Sequence, residues 1–163
     1  MLSIAPDSGI TVEQFVQLTD PPVRPSPSGS GEVVLHDGDG LCLVVLLVMH
    51  QDRSTLPAIV TFRHCLQSIF GYPNDEAQWG DPRLRGLGYS FFEIIDSPWT
   101  GRLQRYNRQA FPTAHWWPPG NYRHFVMSCH ESMGEFLAED MRIDLQPGDF
   151  LTAASKALAR IAS

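Results

Sequence analysis

The sequence predicts an α+β fold: an antiparallel β-sheet of about five to six strands, a short N-terminal helix, one mid-chain helix (about 98–110) and a C-terminal helix (about 150–162). Three observations lead there. Runs of β-branched and aliphatic residues follow one another through short turn sequences, so successive strands are hairpin-connected. Helical patterns are few and late, which separates this chain from alternating βαβ organisation. Its 163 residues include 13 Gly and 13 Pro with 43% apolar content, turns enough for hairpins and apolar side chains enough for one core.

The expected plan is an N-terminal arm (1–19), a Pro/Ser/Gly linker (20–31) and one α+β domain (32–163). Thr11 with Gln14 makes a capping-box pattern ahead of Val12, Phe15, Val16 and Leu18, which predicts a short helix ending before Pro21. The stretch DPPVRPSPSGSG from Asp20 to Gly31 has little to pack and too much Pro and Ser/Gly to sustain a ladder. Val33 to His36 and Leu41 to Met49 flank Asp37-Gly38-Asp39-Gly40, which supplies the positive-φ residues of a tight hairpin. Because Leu41 to Met49 is almost wholly apolar, that strand is expected to be central and covered on both faces. Pro57 to Phe70 reads as the next strand, closed by Gly71-Tyr72-Pro73, and Asn74 caps one helical turn carrying Asp75 and Glu76.

Tyr89 to Ile95 is a further strand. Ser97-Pro98 opens a helix with Trp99, Leu103, Tyr106 and Ala110 inward and Arg102, Arg105 and Arg108 outward. The aromatic loop FPTAHWWPPG (111–120) precedes a strand from Tyr122 to His130. Glu131 to Leu145 reads two ways. Ser132 with Glu135 would cap a helix, whereas Leu137, Met141, Ile143 and Leu145 share the parity of a strand, and the strand is the reading adopted. Asp149 caps a final helix with Leu151, Ala154, Leu158 and Ile161 inward.

Composition bounds the function. Eighteen acidic against twelve basic residues give a formal charge of -6, so the chain lacks a nucleic-acid footprint. The longest apolar run, Leu41 to Met49, is about half of a membrane span, and no basic residue precedes the N-terminal apolar stretch as a secretory signal requires. Cys42, Cys65 and Cys129 fit neither a zinc ribbon nor a disulfide framework, and read as buried thiols of a cytoplasmic protein. A glycine-rich phosphate loop after a strand is absent, and no cofactor is expected.

The richest stretch chemically is Arg123 to Glu131. Alternation puts His124, Val126, Ser128 and His130 on one face and Phe125, Met127 and Cys129 on the core face. A two-residue turn at Ser132-Met133 would set His130 opposite Glu135, a pair suited to acid/base work. Glu93, among Phe91, Phe92, Ile94 and Ile95, would be a carboxylate in apolar surroundings if its face is inward. Candidate catalytic residues are therefore His130, Glu135, His124 and Glu93, and candidate ligand-binding residues are Arg63, Ser128, Trp116 and Trp117. The expected function is binding of a small polar ligand in a His-containing pocket, with cofactor-independent isomerisation, elimination or hydrolysis as the matching chemistry. Two alternatives stand beside it: an interaction module or homodimer using loop 111–120 or the arginine face, and a metal held by His64, His124 and His130. An ordinary half-exposed sheet face accounts for the same histidines without any function.

Overall fold

The structure is a computed structural model describing residues 13–18, 23–29, 31–78, 80, 82, 84–113 and 120–163. Its N-terminal element corrects the expected helix. Gln14–Gln17 form strand β1, pairing antiparallel with residues 92–95, and Phe15 packs edge-on against Phe92 at 6.4 Å between ring centroids. So short a helix is marginal in water, while an open sheet edge satisfies the same backbone groups and half-buries Phe15. Arg24–Pro25 form β2 against Met49 and Val48, with Val23, Pro25 and Ser26 buried. Within the segment expected as a linker, Arg24–Pro25 thus lie along a sheet edge, where proline's missing N–H costs no ladder bond.

The Asp37–Gly40 hairpin forms as expected. Asp37 Oδ1 accepts the N–H groups of Asp39 and Leu41 at 2.9 and 2.8 Å, and Gly40 takes φ +91° between β3 (Val33–His36) and β4 (Cys42–Met49). β5 (Thr55–Arg63) pairs with the whole of β4 through Thr55 to Phe62. The run expected as one strand from Pro57 to Phe70 breaks at His64, whose φ of +48° turns the chain into β6 (Gln67–Gly71). After one turn of helix α1 (Asp75–Gln78) come β7 (Ser90–Ile95) and helix α2 (Trp99–Ala110). The last elements are β8 (Arg123–Ser128), β9 (Met133–Ala138), β10 (Asp140–Leu145) and α3 (Phe150–Ile161).

These strands make two five-stranded antiparallel sheets where one of five to six was expected, and the α+β class holds. The first has the order β1-β7-β8-β9-β6; the second has the order β10-β5-β4-β2, with β3 also paired to β4. The ambiguous stretch after residue 131 is strand, but it changes sheets at Glu139, between β9 and β10. The corners at His64 and Glu139 pass the chain from one sheet to the other, and each corner is invisible to a parity count. Between the sheets, Phe62 stacks on Phe136 at 3.9 Å and tilts against Phe125 at 5.9 Å. Val44, Leu46, Val60, Phe91 and Met127 complete that core.

Helix α3 covers the other face of the second sheet, which makes β4 central and buried on both sides. Ala153 and Ala157 are buried on Leu43, Val45 and Ile59, and the expected Ala154 and Ile161 pack partly buried beside them, while Leu151 and Leu158 are 75% and 56% exposed. The small alanines bring the helix close to the sheet, and the leucine stripe expected inward faces away. In α2 only Trp99 is fully buried; Tyr106 is 62% exposed and Ala110 is exposed, because the helix leaves the sheet after its first turn. No helix among the described residues is long and apolar enough to cross a membrane.

Candidate functional site

Strand alternation in β8 sends Phe125 and Met127 into the core and His124, Val126 and Ser128 to the outer face, as expected. The hairpin that follows does not have the expected register. Cys129 N–H donates to the Ser132 carbonyl at 2.9 Å, so the turn spans 129–132 and Ser128 pairs with Met133. Glu135 consequently sits opposite Val126 and diagonal to His124. The predicted histidine–carboxylate pair exists, with His124 in the place expected of His130: His124 Nε2 lies 2.9 Å from Glu135 Oε2. The shift keeps strand parity, so Glu135 remains on the expected face.

The other ring nitrogen of His124 meets a residue read only as a helix cap. β7 ends at Ile95, Asp96 adopts a left-handed φ of +59°, and the chain turns through Ser97 into α2. Ser97 Oγ lies 2.7 Å from His124 Nδ1 and accepts the Trp99 N–H at 3.3 Å. The hydrogen-bond network assigns the tautomer. An ionised Glu135 only accepts, so Nε2 carries the proton, and Nδ1 is left to accept Ser97 Oγ–H. Trp99 closes the ring off from solvent: its indole stands edge-on to the imidazole at 4.6 Å, its Nε1–H donates to Gln67 Oε1 at 2.7 Å, and His124 is 5% exposed.

Ser97 and His124 line a cavity of about 350 Å3 together with Thr100, Asn121, Tyr122, Arg123 and Glu93. That volume falls in the range of small-molecule sites. On the far side of the ring, Glu135 lines a smaller cavity of about 50 Å3 with Phe15, Leu84 and Met133. Glu93 does face inward, as its position allowed, but not as an isolated carboxylate. It accepts Arg123 Nε–H at 2.9 Å and a second, Nη2–H bond from the same guanidinium. Held this way, the Arg123 guanidinium is pushed above its ordinary range, chiefly by those bonds, and it lies 4.7 Å over the Phe125 ring.

His130 occupies the hairpin tip in a different group. Tyr89 donates its hydroxyl hydrogen to Asp75 Oδ2 at 2.5 Å, and His130 Nδ1 is 3.1 Å from the same oxygen. The Tyr89 hydrogen bond, then that of His130, holds the Asp75 carboxyl below the usual range. In return Asp75 raises His130 and pushes Tyr89 up to about 12. Ser128 is buried and donates to Gln78 Oε1 at 2.7 Å, so its hydroxyl is committed to α1. Arg63 is exposed at the end of β5, opposite Asp140, and does not line the cavity beside His124. Trp116 and Trp117 lie outside the described residues.

The alternative metal set of His64, His124 and His130 does not assemble. His64 pairs with Glu139, His124 with Ser97 and Glu135, and His130 with Asp75. Among the described residues the group with metal-ligand chemistry is instead His36, Cys42 and Cys65, whose donor atoms lie within 4.8 Å of one another. All three cysteines are buried and free, as their spacing suggested.

Fold and site together define an α+β protein of two packed antiparallel sheets with a serine–histidine–glutamate relay on its outer face. No protein-family model matches this chain, and neither a curated protein nor a solved structure does.

Proposed function

We propose that this protein binds a small polar acyl compound in the cavity beside Ser97 and hydrolyses it, with Ser97 as nucleophile, His124 as general base and Glu135 orienting the imidazole. The observation that carries the reading is the continuous relay: Ser97 Oγ to His124 Nδ1 at 2.7 Å and His124 Nε2 to Glu135 at 2.9 Å, opening on a ligand-sized cavity. A serine hydroxyl is a weak nucleophile until an adjacent base takes its proton, and the base needs a third group to fix its tautomer and stabilise its cation. Each part is present in the required order.

The step balances without a cofactor. Ser97 Oγ attacks the acyl carbon and its proton passes to Nδ1; the tetrahedral centre collapses, the bond to the leaving oxygen breaks, and the imidazolium returns the proton to that oxygen. Water then repeats the sequence on the acyl-serine. Helix α2 starts just after Ser97, and its first-turn N–H groups, which have no acceptor inside a helix, give positive potential where the oxyanion develops. Arg123 is already neutralised by Glu93, so the lining favours a neutral polar substrate over an anion. Small esters of graded acyl length test this. Measurable hydrolysis that disappears in Ser97→Ala, with an unchanged melting temperature, is the expected result; hydrolysis equal in the variant rejects it.

A further inference from the structure

We propose that His36, Cys42 and Cys65 form a binding site for a divalent cation of the zinc class, built on β3, β4 and the corner between β5 and β6, which carry none of Ser97, His124 or Glu135. Their donor atoms lie within 4.8 Å of one another. In a tetrahedral zinc site donors are ~3.5–3.8 Å apart, as bonds of ~2.0–2.3 Å require, so modest side-chain rotations complete the closure. The backbone has already brought the three together. His36 and Cys42 are a direct cross-strand pair in the β3–β4 hairpin. Cys65 is tied to that same hairpin by its N–H, which donates to the Gly40 carbonyl at 2.7 Å. Gly40, at φ +91°, makes the left-handed turn that presents this carbonyl.

Donor chemistry selects the ion. Two thiolates and an imidazole suit zinc-class and other borderline-soft metals and exclude calcium and magnesium, which want oxygen cages. Cys42 and Cys65 are 0% and 3% exposed, so the bound state must be nearly neutral. A dication that displaces both thiol protons to water and takes two thiolates and a neutral imidazole meets that condition, whereas a monovalent ion leaves a buried negative charge. His36 lies 2.8 Å from Ser68 Oγ through Nδ1 and 3.2 Å from the Cys65 carbonyl through Nε2. One nitrogen can ligate while the other keeps its hydrogen bond, the usual way a metal-bound ring is oriented. The fourth position falls to water or to the Ser68 hydroxyl, which lies beside His36.

The test is a titration of the full chain, reduced and stripped of metal, with Co2+ followed by Zn2+, read by absorption. One equivalent of cobalt giving thiolate-to-metal charge transfer, and its loss as zinc displaces cobalt, is the expected result. His36 is exposed, so His36→Gln keeps the fold and is expected to weaken cobalt at least tenfold; Cys65→Ala is expected to abolish the charge-transfer band. The absence of such a band in the natural chain overturns the site, and so does a band that persists in Cys65→Ala. Unchanged affinity in His36→Gln overturns the three-residue ligand set.

Discussion

Replacing Glu135 by Gln removes one charge from the relay while keeping shape and a hydrogen-bond acceptor. In the ground state the loss is small. Hydrogen bonds to charged groups contribute about 1.5–3 kcal/mol, and because the Glu135 side chain is 28% exposed, solvent screening brings the stability cost down to about 1 kcal/mol. The transition state differs, because His124 becomes an imidazolium 2.9 Å from that carboxylate, inside a face closed by Trp99. Losing about 2–3 kcal/mol of stabilisation there slows attack by Ser97 roughly 30- to 150-fold. The assay is the second-order rate of covalent modification by a fluorophosphonate, with a thermal melt of the same preparation. A folded Glu135→Gln protein modified within twofold of the natural rate would refute the role assigned to Glu135.

Other expectations follow from packing and charge. Gly134→Ala puts a Cβ within 2.7 Å of Phe136 Cε2, and Phe136 is buried in the stack on Phe62, so about 1–3 kcal/mol of stability should be lost by denaturant titration. Ala157→Leu should cost a similar ~1–3 kcal/mol by overpacking α3 on the second sheet, while Leu158→Gln on the exposed face should stay within ~0.5 kcal/mol. His130 is raised by Asp75, so its share of stability is full below the unfolded value of ~6.5 and fades as pH climbs through the raised folded value. Asp75 is lowered, and its share fades only as pH falls below ~4. In Asp75→Asn the decline in melting temperature above pH ~6.5 should therefore flatten.

The face of the site was legible because strand alternation is a local property: β8 had to bury Phe125 and Met127, which left His124 outward. Which histidine meets Glu135 depends on turn length, and the 129–132 turn carries no Asn-Gly or Asp-Gly pair to announce it. Ser97 was visible as a helix start, yet its place beside His124 arises from β7 pairing with β8, a long-range contact. The single-sheet expectation failed at His64 and Glu139, where the chain changes sheets without a glycine or proline at either corner. For the same reason Cys42 and Cys65, 23 positions apart, looked solitary although the corner after β5 returns Cys65 to the β3–β4 hairpin, where its N–H bonds the Gly40 carbonyl. In α3 the face that meets Leu43 and Ile59 is set by Ala153 and Ala157, one position off the leucine stripe, a rotation that periodicity alone does not fix.

The most direct test of the proposed nucleophile is mass spectrometry of the intact chain after reaction with a fluorophosphonate, followed by peptide mapping. One adduct per chain on the peptide containing Ser97, absent after His124→Gln in a folded protein, is the predicted result. No adduct, or an adduct on any serine other than Ser97, would contradict it.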